Sequence, residues 1–132
     1  MGEVGPPDII MKKILFIEDE AALQKTFGEV LEQEGYKMIS AMDGEEGIRL
    51  VKSEKPDLIL LDLIMPKLNG FEVLKNLKSD KTTEGVPVIV LTNLEGTGDV
   101  EKSLELGAMT YLVKANYTLE EVIKKIKQAL GE

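Results

Sequence analysis

Three short apolar runs constrain the fold of this chain most: Ile14-Leu15-Phe16-Ile17, Leu58-Ile59-Leu60-Leu61 and Val88-Ile89-Val90-Leu91. Each is apolar at every position rather than at alternate ones, so each reads as a strand buried on both faces, as in a parallel sheet covered by helices on either side. Each also runs into reactive polar residues: Glu18 and Asp19, then Asp62, then Thr92. A more mixed run, Met109 to Val113, ends at Lys114 in the same way. Open α/β sheets place their sites in the crevice at the carboxyl ends of the strands, so these four strand ends can share one pocket.

The segments between the runs carry helical spacing. Leu23, Phe27, Val30 and Leu31 fall at i, i+4, i+7 and i+8, with Gly35 placed as a C-terminal cap. Tyr36 to Ala41 reads as an edge strand, and Asp43-Gly44 offers a turn before a short helix bearing Ile48 and Val51. Phe71, Leu74 and Leu77 give a third helical face just after Asn69-Gly70, and Val100 and Leu104 mark a fourth beside the loop-like Glu95-Gly96-Thr97-Gly98. Leu119, Val122, Ile123, Ile126 and Leu130 form the clearest stripe, with Thr118 as N-cap. Five strands alternating with five helices imply parallel pairing through right-handed crossovers, hence a doubly wound α/β fold. The order 2-1-3-4-5 keeps the three wholly apolar runs central and the two mixed ones at the edges. It also puts the topological switch point beside Asp19 and Asp62.

Composition narrows the chemistry. At 132 residues the chain is one ordinary domain, expected over residues 11–132. The first ten residues, with Gly2, Gly5, Pro6 and Pro7 and no periodicity, are expected to be a disordered lead-in, native or added for expression. Zero Cys and zero His remove thiol nucleophiles, imidazole bases, the usual zinc sites and disulfides, leaving carboxylates, Lys, hydroxyls or a hard cation. A net charge of -8 disfavours direct binding to nucleic acid or to anionic membranes. With neither a membrane-length apolar stretch nor a signal peptide, the sequence predicts a cytoplasmic protein.

Acids in a first helical turn complement the helix dipole, and Glu18-Asp19-Glu20 admits that account alone. Asp62 changes the weighing, because like-charged carboxylates within ~4 Å repel by about 1 kcal/mol in water and by more near a protein surface. Clustering them favours a hard, oxygen-loving cation, and Mg²⁺ suits a few carboxylates plus waters. Such a site fits phosphoryl transfer, with Asp62 as nucleophile, Lys114 pairing first with its carboxylate and then with a phosphoryl oxygen, and the Thr92 hydroxyl donating to another.

These residues resemble those of a known family, the receiver domain of two-component response regulators (CheY-like, on the flavodoxin-like architecture). The likeness runs from Lys13 to Leu130 through Glu18-Asp19, Ala41-Met42-Asp43-Gly44, Pro56 to Asp62, Met65-Pro66, Asn69-Gly70, Val88 to Thr92, Gly107-Ala108 and Tyr111-Leu112-Val113-Lys114. The 2-1-3-4-5 order is itself a known property of that family. The resemblance implies a signalling phosphoacceptor rather than an enzyme, one that assists its own phosphorylation and dephosphorylation. A histidine kinase or phosphotransfer protein would supply the phosphoryl group to Asp62. Asp19 and Asp62 would ligate Mg²⁺ directly, Glu18 through water, and the backbone carbonyl of Ile64 would complete the protein contacts. Thr92 and Tyr111 would form the switch that shifts the face made by the fourth helix, fifth strand and fifth helix, although Tyr111 on an edge strand also has an ordinary packing role. The signal would pass to a target protein or to an output domain of a longer regulator.

Departures from the family pattern carry further expectations. Ala115 stands where Pro is usual, which predicts a trans Lys114-Ala115 bond, because a cis bond before Ala costs ~2.5 to 4 kcal/mol, and a rerouted loop. Asn93 replaces a small residue and is expected to narrow access. Ile64 and Leu94 flank the path of attacking water without hydrogen-bonding capacity, which predicts slow self-dephosphorylation. Gly47, where Ala is common, predicts a soft second helix. Three rivals remain: a degenerate receiver serving only as an interaction module, which the retained site residues oppose; a flavin or nucleotide carrier, which acids after the first strand would repel; and an Asp-nucleophile phosphatase, whose paired Asp is missing from Asp62-Leu63-Ile64.

Overall fold

The three apolar runs lie side by side as central strands of one parallel sheet, in a computed structural model that describes residues 11–132. The expected lead-in over residues 1–10 lies outside the described residues. In chain order the elements are β1 (Lys13–Ile17), α1 (Ala21–Gln33), β2 (Lys37–Ala41), α2 (Gly44–Glu54), β3 (Leu58–Leu61), α3 (Gly70–Ser79), β4 (Val88–Thr92), α4 (Thr97–Glu105), β5 (Thr110–Val113) and α5 (Leu119–Ala129). A single 3₁₀ turn, Lys114–Asn116, joins β5 to α5. The sheet order is β2-β1-β3-β4-β5, as the burial pattern of the runs predicts.

Because successive side chains of a strand point to opposite faces, each central strand feeds two cores. Ile14, Phe16, Leu58, Leu60, Ile89 and Leu91 pack against Phe27 and Leu31 of α1 and Val122, Ile123 and Ile126 of α5. Leu15, Ile17, Ile59, Leu61, Val88 and Val90 pack against Val51 of α2 and Val73, Leu74 and Leu77 of α3. Full burial of one such side chain contributes roughly 1.5 to 3 kcal/mol, so this double core is what holds the strand ends in place.

The helix ends follow their sequence signals. Thr118 accepts from the Glu121 N–H while the Glu121 carboxylate accepts from the Thr118 N–H, a complete capping box. Asn69 and Asp43 cap α3 and α2 through the N–H groups of Glu72 and Glu46. α1 differs from expectation: it starts at Ala21, with no acid in its first turn and no side-chain cap at Glu20. The acids at 18 to 20 therefore precede the first turn, with Glu20 at the N-cap, and first-turn placement does not account for Glu18 and Asp19.

Gly47 has a packing reason. A Cβ there would stand 2.6 Å from Ile17 Cδ1 and 3.0 Å from both Ile17 Cγ atoms, so a side chain at 47 would force Ile17 or α2 to shift. Gly47→Ala gains up to ~1 kcal/mol of helix propensity but overpacks a filled core at roughly 1 to 3 kcal/mol. We expect a net loss of about 1 kcal/mol in urea unfolding, and a smaller loss when Ile17→Val makes room. Equal losses in both backgrounds would show that the contact is not the cause.

Candidate functional site

Register brings the polar strand ends together. Ile17 pairs with Leu61, so Glu18 and Asp62 emerge side by side from β1 and β3. The Asp62 N–H donates to the Ile17 carbonyl at 3.0 Å and the Glu18 N–H to the Ala41 carbonyl at 3.0 Å, extending the ladder one step past the strands. Thr92 pairs with Val113, which delivers Lys114 to the same edge from the other side. Below this edge Gly70 lets the start of α3 lie against the Asp62-Leu63 backbone. A Cβ there would meet the Asp62 carbonyl oxygen and Leu63 Cα, each at 2.5 Å.

The Lys114 ammonium reaches two carboxylates at once, Glu18 Oε1 at 2.6 Å and Asp62 Oδ2 at 3.1 Å. Glu18 and Asp62 are buried and Lys114 is largely so, which makes these strong charge-assisted contacts. Burial alone would lower the Lys114 pKa, but its hydrogen bonds and attraction to Glu18 and Asp62 outweigh that and raise it. The ammonium stays charged at neutral pH. Burial pushes the Glu18 carboxyl above its ordinary value; the bonds from Lys114 and the Glu20 N–H offset this only in part, while the charge of Asp62 adds to it.

Asp19 is the exposed member of the cluster, and one carboxylate oxygen each from Glu18, Asp19 and Asp62 lie within 4.8 Å of one another. Three anionic oxygens with no nitrogen or sulfur donor among them suit a hard divalent cation. The donor set therefore fits Mg²⁺ or Mn²⁺, with Glu18, Asp19 and Asp62 as the residues able to hold it.

The remaining expected residues fall around this cluster with different degrees of contact. Thr92 is fully buried, its hydroxyl accepting from the Leu94 N–H at 3.5 Å. Tyr111 is partly buried, packs on the α2–α3 side of the sheet, and donates its hydroxyl to the Leu94 carbonyl at 2.8 Å. Its phenol pKa is raised by burial, with Asp99 and Asp62 adding, so it remains a donor at neutral pH. Thr92 and Tyr111 thus meet at the backbone of one residue, Leu94. Ile64 is 55% exposed and its N–H donates to Asp62 Oδ1 at 3.2 Å; Asn93 is exposed. The Lys114-Ala115 bond is trans, and the chain turns through the 3₁₀ segment that follows.

Two site features escaped sequence reasoning. The pairing of Lys114 with Glu18 joins residues 96 apart, and only the strand order could have suggested it. Gln24 on α1, a polar residue outside the apolar stripe of that helix, is buried against the carbonyls of Phe16, Glu18 and Ala41.

A doubly wound α/β domain with an acidic, cation-suited cluster and a lysine at the carboxyl edge of its sheet is the class these observations define. Residues 14–127 match the model of the response regulator receiver domain. A probable transcriptional regulator ycf27 from Porphyridium aerugineum is 41% identical over 90% of this chain and 48% of its own length. Protein PilH of Pseudomonas aeruginosa is 35% identical over 92% of this chain and 99% of its own length. The receiver domain of the sensor histidine kinase PA1611 from Pseudomonas aeruginosa, solved with a magnesium ion coordinated in its active site cleft, superposes with a TM-score of 0.83 at 27% identity, covering 93% of this chain and 100% of that one. The chain belongs to the response regulator receiver domain family, the phosphoacceptor domains of two-component signalling. It spans about half the length of the transcriptional regulators it matches.

Proposed function

We propose that this protein takes a phosphoryl group onto Asp62 from the phosphohistidine of a histidine kinase or phosphotransfer protein, with residues 11–132 as the receiver domain. The observation that carries this reading is the meeting of Asp62 with one ammonium and two further carboxylates at a single sheet edge. An Asp62 oxygen attacks phosphorus as the nitrogen–phosphorus bond of the donor breaks, leaving an acyl phosphate on Asp62 and a free imidazole on the donor. Glu18, Asp19, Asp62 and the Ile64 carbonyl would hold Mg²⁺, which when bound screens the charge of the acids and of the phosphoryl oxygens.

The chain's own residues do the rest. Lys114 exchanges its bond to the Asp62 carboxylate for one to a phosphoryl oxygen, and the Thr92 hydroxyl donates to a second. As Thr92 turns it releases the Leu94 N–H, and the loop whose carbonyl holds Tyr111 moves with it. Tyr111 sits on β5, so the change reaches the face formed by α4, β5 and α5 as a shift between two packings. α4 is poorly anchored for this purpose: Ser103 is its one buried residue and Leu104 is 47% exposed.

In this reading the protein is a signalling phosphoacceptor that assists its own phosphorylation and dephosphorylation, not a turnover enzyme. It would hand the signal to a target protein docked on that face or to an output domain of a longer regulator. Its charge of -8 argues against nucleic acid as its direct partner. No helix among the described residues is long and apolar enough to cross a membrane, and a cytoplasmic location would put the site beside a kinase.

Beryllofluoride, a phosphoryl mimic, tests the reading. With Mg²⁺ it should shift the NMR signals of Thr92, Leu94, Tyr111 and Lys114 in the wild-type protein and leave those of Asp62→Asn unmoved. Shifts of equal size in Asp62→Asn would refute it.

A further inference from the structure

We propose that Gln24 is a positioning residue for the acidic site, fixing through the backbone where the Asp19 carboxylate stands; the inference rests on the cation-binding reading of Glu18, Asp19 and Asp62. Gln24 lies on the inward face of α1 and is buried. Its Nε2 donates to the Phe16 carbonyl at 2.8 Å, the Glu18 carbonyl at 3.0 Å and the Ala41 carbonyl at 3.1 Å. One amide therefore ties the ends of β1 and β2 at the place where the acids emerge. Three carbonyls converging on one end of the amide also fix its orientation, since reversing it would set oxygen against oxygen.

The Glu18 carbonyl is the decisive contact. It belongs to the same rigid peptide plane as the Asp19 N–H and Cα, so holding that oxygen holds the point from which the Asp19 side chain leaves the backbone. Among the described residues no hydrogen bond or ion pair engages the Asp19 carboxylate, so its placement rests on the backbone from which it extends. Glu18 is held on its own account by the Ala41 carbonyl and by Lys114. Around Asp19 the following peptide is held by the Glu20 N–H bond to Glu18 Oε2 at 2.9 Å, and the preceding one by Gln24.

The other end of the amide supports a donor role. Gln24 Oε1 is buried with no partner among the described residues, a desolvation cost that Met of similar length would avoid while filling the same space. Packing alone does not account for glutamine there. An amide whose two N–H groups reach three carbonyls, one N–H shared between two of them, does.

The test is Mg²⁺ affinity by isothermal titration calorimetry, well below the melting temperature of every variant. Gln24→Met is expected to weaken Mg²⁺ binding about tenfold, the scale on which supporting contacts around a metal site act. Leu77→Ala, in the core on the α3 side, is expected to lower the melting temperature and leave Mg²⁺ binding unchanged, which separates positioning from general loss of stability. Wild-type affinity in Gln24→Met would overturn the role of Gln24. No Mg²⁺ binding by the wild-type protein would overturn the cation-site reading instead. Should Gln24→Met fail to fold, the wild-type carboxamide decides: its protons are expected to exchange with solvent about tenfold or more slower than those of the exposed Gln33. Equal exchange would overturn the proposal.

Discussion

Lys114→Met is expected to slow phosphorylation of Asp62 by about 100-fold or more and to destabilise the metal-free protein by about 3 kcal/mol. Both effects come from one charge. In the folded protein the ammonium stands between Glu18 Oε1 and Asp62 Oδ2, and both carboxylates are buried. Removing one partner from such a set strands the others without a counter-charge, which costs more than an exposed ion pair would. The same variant should be rescued in stability, but not in rate, by Mg²⁺. A cation that binds only the folded state stabilises it by mass action, whereas the missing donor to the phosphoryl oxygen is not replaced. Urea unfolding with and without Mg²⁺, beside phosphorylation by a small acyl phosphate, reads the two effects separately. A rate within threefold of wild type would remove Lys114 from the chemistry.

Ile64→Asn should have the second large effect, speeding loss of the phosphoryl group from Asp62 by about tenfold. Ile64 is 55% exposed two residues past Asp62, so it borders the approach to the site without filling a core. Its exposure makes the substitution cheap in stability, within about 0.5 kcal/mol. An apolar side chain there excludes water or leaves it unoriented, and an amide can hold and aim it. The decay of the purified phosphoprotein in excess Mg²⁺ gives the answer. A slower decay in Ile64→Asn would contradict the account of Ile64 as a brake.

How much of this was legible depended on whether the signal was local. The runs ending at Ile17, Leu61 and Leu91 are apolar at every position because they are buried on both faces, and that pattern fixed both their identity and their central place. The N-cap at Thr118 and the cap at Gly35 were readable for the same reason, being interactions over a few residues. α4 was faint in the sequence because its hold on the sheet is faint: its single buried residue is a serine whose hydroxyl has no partner among the described residues.

The site was legible as a set of strand ends, and its internal contacts were not. Nothing local links Lys114 to Glu18, because the pairing follows from strand order. Gln24 has no apolar signature to betray its burial. Gly47 looked like a weak point in a helix, yet its meaning lies in Ile17, thirty positions earlier in the chain and adjacent only once α2 packs on β1. Residues whose role is set by a partner across the fold leave no periodicity to read.

The most direct measurement of the central claim is the intact mass of the protein after incubation with a small acyl phosphate. The account predicts a gain of one phosphoryl group in the wild-type protein with Mg²⁺, none when the metal is chelated, and none in Asp62→Asn. An equal gain in Asp62→Asn would contradict it.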